Sequence, residues 1–171
     1  VLLIAKPELL EKRLSTRETE PEQRRILMLS SLIFAASFLL CALDFRFGWS
    51  AVPAWLSTTA CAVFLLAYVG LAELLHENEY LSRSVELQAG QKVVSTGMYG
   101  IVRHPMYAVI IWLFLSMPLI LGSYIGLIPL AFIPYVLVKR LLNEEKLLRG
   151  GLDGYDGYMQ KVRYRLIPFV W

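Results

Sequence analysis

Arg103-His104-Pro105-Met106-Tyr107 places a guanidinium and an imidazole where a long polar stretch meets a long apolar one. Proline fixes its own φ near the helical value and has no N–H to lose, so it suits the first turn of a helix. It also drives the residue before it into an extended conformation. His104 is therefore expected at the mouth of a helix that begins at Pro105. Such a mouth offers unpaired backbone N–H groups and a partial positive charge, and Arg103 adds a full one. The chemistry favoured there is recognition of an anion. A second polar cluster, Asn143-Glu144-Glu145, follows the next two apolar runs and carries the opposite charge. The chain is expected to fold so that the two clusters meet at a membrane surface.

The elements that must position them are apolar to an unusual degree. Of 171 residues, 57% are hydrophobic, and the net charge is +3. Mean hydropathy is +0.54. A soluble domain of this length is usually about 45–50% apolar. The apolar residues also come in blocks too long for a water-soluble helix. The composition predicts an integral membrane protein, and the modest positive balance reads as membrane topology rather than nucleic-acid binding. Cys41 and Cys61 lie inside apolar blocks and read as buried thiols. With His76 and His104 the only histidines, there is no disulfide framework and no metal-ligand spacing.

The chain opens on Val1-Leu2-Leu3-Ile4-Ala5, which reads as the tail of a removed span. Residues 1–25 form a polar N-terminal segment that is cytoplasmic or interfacial. Residues 26–75 hold two crossings: an uncharged run to Leu43, a short loop from Asp44 to Ser50, and a second helix opened by Pro53. Trp49 and Trp55 suit an interfacial belt. Residues 76–104 form the main polar loop, with a hint of extended chain in Ser84-Val85-Glu86-Leu87-Gln88. Residues 105–138 are too long for one crossing, roughly 50 Å as a straight helix against a core of about 30 Å. Gly122-Ser123 offers a turn, so a helical hairpin is expected, kinked by Pro118, Pro129 and Pro134. Residues 139–171 form a basic amphipathic tail, with Glu145 and Arg149 at i,i+4 and a break at Gly150-Gly151.

Basic residues then set the orientation. The N-terminal segment carries Lys6, Lys12, Arg13, Arg17, Arg24 and Arg25. The polar loop carries Arg83, Lys92 and Arg103, and the tail carries Lys139, Arg140, Lys146, Arg149, Lys161, Arg163 and Arg165. Arg46 stands alone in the short loop. About four crossings put the three basic segments on one side, which is expected to be cytoplasmic. Both polar clusters land there too.

Gln91-Lys92-Val93-Val94, Gly97-x-Tyr99, Arg103-His104-Pro105-Met106-Tyr107, Glu144-Glu145 and Tyr155-x-x-Tyr158…Pro168 together resemble the isoprenylcysteine carboxyl methyltransferase family and the related phospholipid methyltransferases. The resemblance covers roughly Asn78 to Trp171 and implies an all-α membrane methyltransferase, an integral helical bundle with its active site on the cytoplasmic face, and residues 1–171 are read as a single domain of that kind. The resemblance also implies S-adenosylmethionine as cofactor, released as S-adenosylhomocysteine and bound between the histidine-proline turn and the glutamate pair. Carried over by position, Gln91, Lys92, Val93 and Val94 line the nucleoside side. Tyr99, His104, Pro105, Met106 and Tyr107 hold the ribose and amino-acid portion, Gly97 is a further cofactor-binding position, and Glu144 and Glu145 supply the acidic side, with Glu145 receiving the ammonium. Arg140 is the nearest equivalent of an arginine that serves the substrate. Val109 stands where members commonly carry a glycine.

The chemistry of the residues matches that cofactor. The Pro105 helix mouth with Arg103 and His104 suits its carboxylate, and Glu144/Glu145 suit its ammonium. Methyl transfer is an in-line displacement, so catalysis is mostly positioning and exclusion of water. A carboxylate or thiolate acceptor needs no base, whereas an amine or thiol must lose a proton, which His104 could take. Each motif alone also has a plainer reading. Arg103 can be a membrane anchor and the glutamates a solvated first turn of the tail helix. Tyr99 and Tyr107 can be belt aromatics, and Arg140 a snorkelling cation. Their joint order favours an enzyme acting on a lipophilic or small acceptor reached from the lipid bilayer, with no metal and no nucleic acid. Isoprenylcysteine-type carboxyl methylation leads; a phospholipid amine, a thiol, and a non-catalytic membrane scaffold are the rivals.

Overall fold

A computed structural model of the chain describes residues 21–82, 85–88 and 90–171. The expectations for residues 1–20, and those for Arg83, Ser84 and Ala89, fall outside the described residues.

Among the described residues all regular structure is helical. Helix α1 spans Pro21–Phe47 and α2 spans Ala54–Glu77. Proline opens α1, in keeping with its fixed φ, and Pro53 caps α2 in an extended conformation. Both helices are long and apolar enough to cross a membrane, with mean hydropathies of 2.5 and 1.8 over their apolar windows. Only 22% and 17% of those windows are buried inside the chain, whereas the core helix of a soluble protein would be mostly covered. Their outward faces carry Leu32, Phe38, Leu39, Leu65, Leu66 and Val69. These faces need an apolar solvent, which a bilayer supplies.

Two boundaries differ from the pattern in the sequence. Asp44 belongs to α1 rather than to a loop, because the helix runs on until Gly48 takes φ +65. Its buried carboxylate accepts from the Ser50 N–H at 2.7 Å and from the Ser50 and Ser123 hydroxyls. A charged residue inside an apolar helix is sustained by three donors from two neighbouring turns. Cys61, expected to be buried, faces outward, whereas Cys41 is buried as expected.

After α2 the chain runs without regular structure, in its described part, to a 3₁₀ turn at Gly97–Gly100. Helix α3, Pro105–Ile120, starts where Pro105 allows it and contains Pro118. It packs along α2, where the Ser57 hydroxyl donates to the Leu119 carbonyl at 2.9 Å. The chain then reverses at Gly122, φ +79, inside the Gly122-Ser123 turn signal. A four-residue helix α4, Leu127–Leu130, leads into α5, Ile133–Gly151. Pro134 lies in the first turn of α5 and so starts that helix instead of kinking it.

The expected division at residue 138 is not a structural break. Between Pro134 and Gly150 there is no helix-breaking residue, and Lys139 and Arg140 are good helix formers, so α5 carries straight from the apolar stretch into the charged one. Helix α6, Tyr155–Lys161, follows Gly154 at φ +82. Tyr107, Leu130, Ile133, Leu137, Leu141 and Leu166 form one buried cluster joining α3, α4, α5 and the tail. That cluster holds the start of α3 against the middle of α5.

Candidate active site

The turn before α3 is fastened to the C-terminal tail. The Arg103 and His104 N–H groups donate to the carbonyls of Tyr164 and Arg165, each at 2.9 Å. Arg103 Nη1 donates to the carbonyls of Val162 and Arg163 at 2.9 and 2.8 Å. The Tyr158 hydroxyl, which burial pushes up to about 12 so that it stays a neutral donor, gives its hydrogen to the Tyr99 carbonyl at 2.7 Å. The tail is thus a wall of the site.

From α5 comes Glu145, 4% exposed, whose two oxygens are shared among three side chains. Arg103 Nε donates to Oε1 at 2.8 Å, His104 Nε2 lies 3.3 Å from the same oxygen, and Arg165 Nε donates to Oε2 at 2.9 Å. Burial alone would raise this carboxyl. The hydrogen bonds from His104, Arg165 and Arg103 outweigh it and hold the group at about 2, below its ordinary 4.5. Arg149, one turn on from Glu145, pairs with Asp156 at 3.1 Å on the surface.

Glu144 points elsewhere. Successive helical residues are rotated by about 100°. Glu144 accordingly faces a cleft, where its Oε2 accepts from the Tyr107 hydroxyl at 2.6 Å. Arg140, one turn earlier on α5, is buried beside the same tyrosine. The cleft is open to solvent, and the empty space within it and its mouth is about 850 Å³. Its lining draws together nearly all of the expected residues. Gln91, Lys92, Val93 and Val94 come from the polar loop, Tyr99, Arg103 and His104 from the turn, Met106 and Tyr107 from α3, and Arg140 and Glu144 from α5.

Three expected residues do not line it. Pro105 is buried behind His104 as the first residue of α3. Gly97 sits at φ +45 with its Cα against the Glu77 carboxylate, itself held by the Thr96 hydroxyl at 2.7 Å; its place is a close approach at the end of α2. Glu145 faces the ionic cluster. Conversely, Asn78, Leu148, Leu152, Tyr155 and Tyr158 line the cleft. The tail tyrosines carried a signal in their spacing, whereas the leucines show none beyond the apolar face of α5.

The sequence profile of the isoprenylcysteine carboxyl methyltransferase (ICMT) family matches residues 57–150, more than half of the chain, from within α2 to the end of α5. The chain belongs to that family. It is therefore a membrane methyltransferase, and the matched stretch holds both the Arg103-His104 turn and the Glu144-Glu145 pair. The tail tyrosines lie beyond the stretch matched to the ICMT family. No curated protein matches the chain.

Proposed function

We propose that this chain transfers a methyl group from S-adenosylmethionine to a lipophilic or small acceptor, with carboxyl O-methylation of the isoprenylcysteine type as the leading reaction. The observation that carries the proposal is the convergence of Arg103, His104, Tyr107, Arg140 and Glu144 on one cleft. The donor set suits the cofactor. Arg103 and the first-turn N–H of Met106 offer positive potential to a carboxylate. Glu144, fixed by Tyr107, offers a carboxylate to an ammonium. Val93, Val94, Leu148 and Leu152 provide an apolar wall for a nucleoside.

When bound, S-adenosylmethionine supplies an electrophilic methyl group on a sulfonium. The residues of this chain bind, orient and exclude water. Arg140 is placed to hold an acceptor carboxylate, which is already a nucleophile and needs no base. For an amine or thiol acceptor, His104 is the group placed to take the proton. Glu145 holds Arg103 and His104 in position and, in this reading, leaves the ammonium to Glu144. The apolar parts of α3, α4 and α5 extend the bundle to about four crossings and form the acceptor's path from the bilayer. The site then faces the cytoplasm.

Methyl incorporation from labelled cofactor into membranes tests the reaction. A methyl ester releases labelled methanol in base, whereas an N-methyl or S-methyl product does not. Base-labile label is the expected result. Base-stable label in phospholipid would replace carboxyl with amine methylation, base-stable label on a thiol would replace it with S-methylation, and no incorporation would leave the scaffold.

A further inference from the structure

Helix α5 carries a second polar face. Arg140 and Glu144 line the cleft, whereas Lys139 and Asn143, each one position earlier and so rotated by about 100°, line a groove against the start of α1. Two adjoining cavities make up this groove, and Glu22, Asn143 and Lys146 line both. Gln23 lines the first, and Lys139, Arg149 and Arg165 line the second. Val85 and Leu147 line the cleft and the groove alike, so they partition the two.

The arginines of the groove are already answered, Arg149 by Asp156 and Arg165 by Glu145. Lys139 and Lys146 have no ion pair among the described residues, and Glu22 is the one lining carboxylate they face that is not paired there. Two buried amides add a second signal. Gln23 is 2% exposed, yet its Oε1 has no hydrogen-bond partner, and neither has the buried Nδ2 of Asn143. Buried polar atoms are nearly always paired. One orphan accepts and the other donates, so a molecule that satisfies both must offer an acceptor and a donor.

Cations beside aromatic rings mark the level of the groove in the membrane. Lys139 Nζ lies 5.6 Å from the ring centroid of the exposed Tyr135, and Arg165 stacks on Trp171. Ile167, Phe169 and Val170, close by in the tail, are exposed too. Long cations with outward aromatic and apolar side chains suit the boundary between hydrocarbon and water. The anions that crowd that boundary are lipid phosphates.

We propose that the groove between the start of α1 and α5 binds the headgroup of an anionic phospholipid. Lys139, Lys146 and the Asn143 amide hold the phosphate, and a headgroup hydroxyl donates to Gln23 Oε1. A glycerol headgroup offers both groups. The lipid is a neighbour of the active site rather than its occupant, and the proposal does not depend on the identity of the methyl donor.

The test is calorimetric titration of the full chain in neutral detergent. The probes are dioctanoyl phosphatidylglycerol, dioctanoyl phosphatidylmethanol (which lacks the hydroxyls), dioctanoyl phosphatidylcholine and inorganic phosphate. Phosphatidylglycerol should bind, and phosphatidylcholine and inorganic phosphate should not bind at the same concentrations. The double variant Lys139→Gln/Lys146→Gln should melt as the unsubstituted protein does without lipid and bind both anionic lipids about 10-fold or more weakly. Lys161→Gln/Arg163→Gln, which removes the same charge outside the groove, should bind them as the unsubstituted protein does. Gln23→Leu should weaken phosphatidylglycerol and leave phosphatidylmethanol unchanged. Equal losses in the two double variants would show general attraction to a negative surface and overturn the proposal. Equal binding of phosphatidylcholine or of inorganic phosphate would overturn it as well, and an equal effect of Gln23→Leu on both anionic lipids would overturn the hydroxyl contact.

Discussion

Arg103 Nε donates a 2.8 Å hydrogen bond to Oε1 of Glu145, 42 positions further along the chain, and both side chains are buried. This bond closes the turn before α3 onto the middle of α5, and Arg165 reaches the other oxygen of the same carboxylate from the tail. Three separate stretches are thereby fixed around one acidic group.

Glu145→Ala should accordingly be a folding variant before it is a binding variant. It leaves the buried Arg103 guanidinium without its counter-charge, a change that typically costs about 3–5 kcal/mol. The melting temperature in detergent should drop by roughly 10 °C. A drop of only a degree or two would show that Glu145 is not the hub.

Acid should reveal the same carboxylate. Its folded value is depressed from 4.5 to about 2, so the stability it contributes is fully present above 4.5 and is lost as pH falls through that window. Melting temperature measured across this range should decline in the unsubstituted protein. Glu145→Gln, less stable throughout, should show a shallower decline there because its group does not titrate.

The tail latch predicts an effect at Arg165. Arg165 also stacks its guanidinium over Trp171, 5.1 Å from the ring centroid, and its side chain is 30% exposed. Arg165→Ala should cost about 1 kcal/mol or somewhat more and expose the tail. Limited proteolysis should cut after α6 faster than in the unsubstituted chain. An unchanged cleavage pattern would mean that the backbone hydrogen bonds at Arg103 and His104 hold the tail alone.

Gly97 makes a prediction of a different kind. At φ +45 a side chain is strained, and a Cβ there would strike the Glu77 carboxylate that Thr96 holds in place. Gly97→Ala should lower stability by about 1 kcal/mol or more, read by melting. Its effect on ligand affinity should be secondary, arising through displacement of the turn that carries Arg103.

Much of this arrangement is legible in the residue order. Pro105 announces the start of α3, Gly122-Ser123 marks the reversal, and the uncharged blocks announce two long apolar helices. The lengths of those blocks bring the arginine-histidine turn and the glutamate pair to one side. Which glutamate faces the cleft is not legible, because adjacent helical positions point in directions about 100° apart and only packing sets the rotation of α5. Likewise, the change from apolar to charged residues near Lys139 looks like a boundary but is only a change of surroundings along one helix. Val109 lies 3.5 Å from where a Cβ on Gly70 would sit. This fit of Val109 on α3 against Gly70 on α2 is visible only in three dimensions.

The central claim, that a zwitterionic methyl donor is held between the Arg103-His104 turn and Glu144, is tested most directly by calorimetric titration of S-adenosylhomocysteine in detergent. The unsubstituted protein should bind it. Glu144→Gln, which keeps the shape and leaves the Glu145 hub intact, should bind about 10–100-fold more weakly with an unchanged melting temperature in the absence of ligand. No binding by the unsubstituted protein, or equal affinity in the two, would contradict the account.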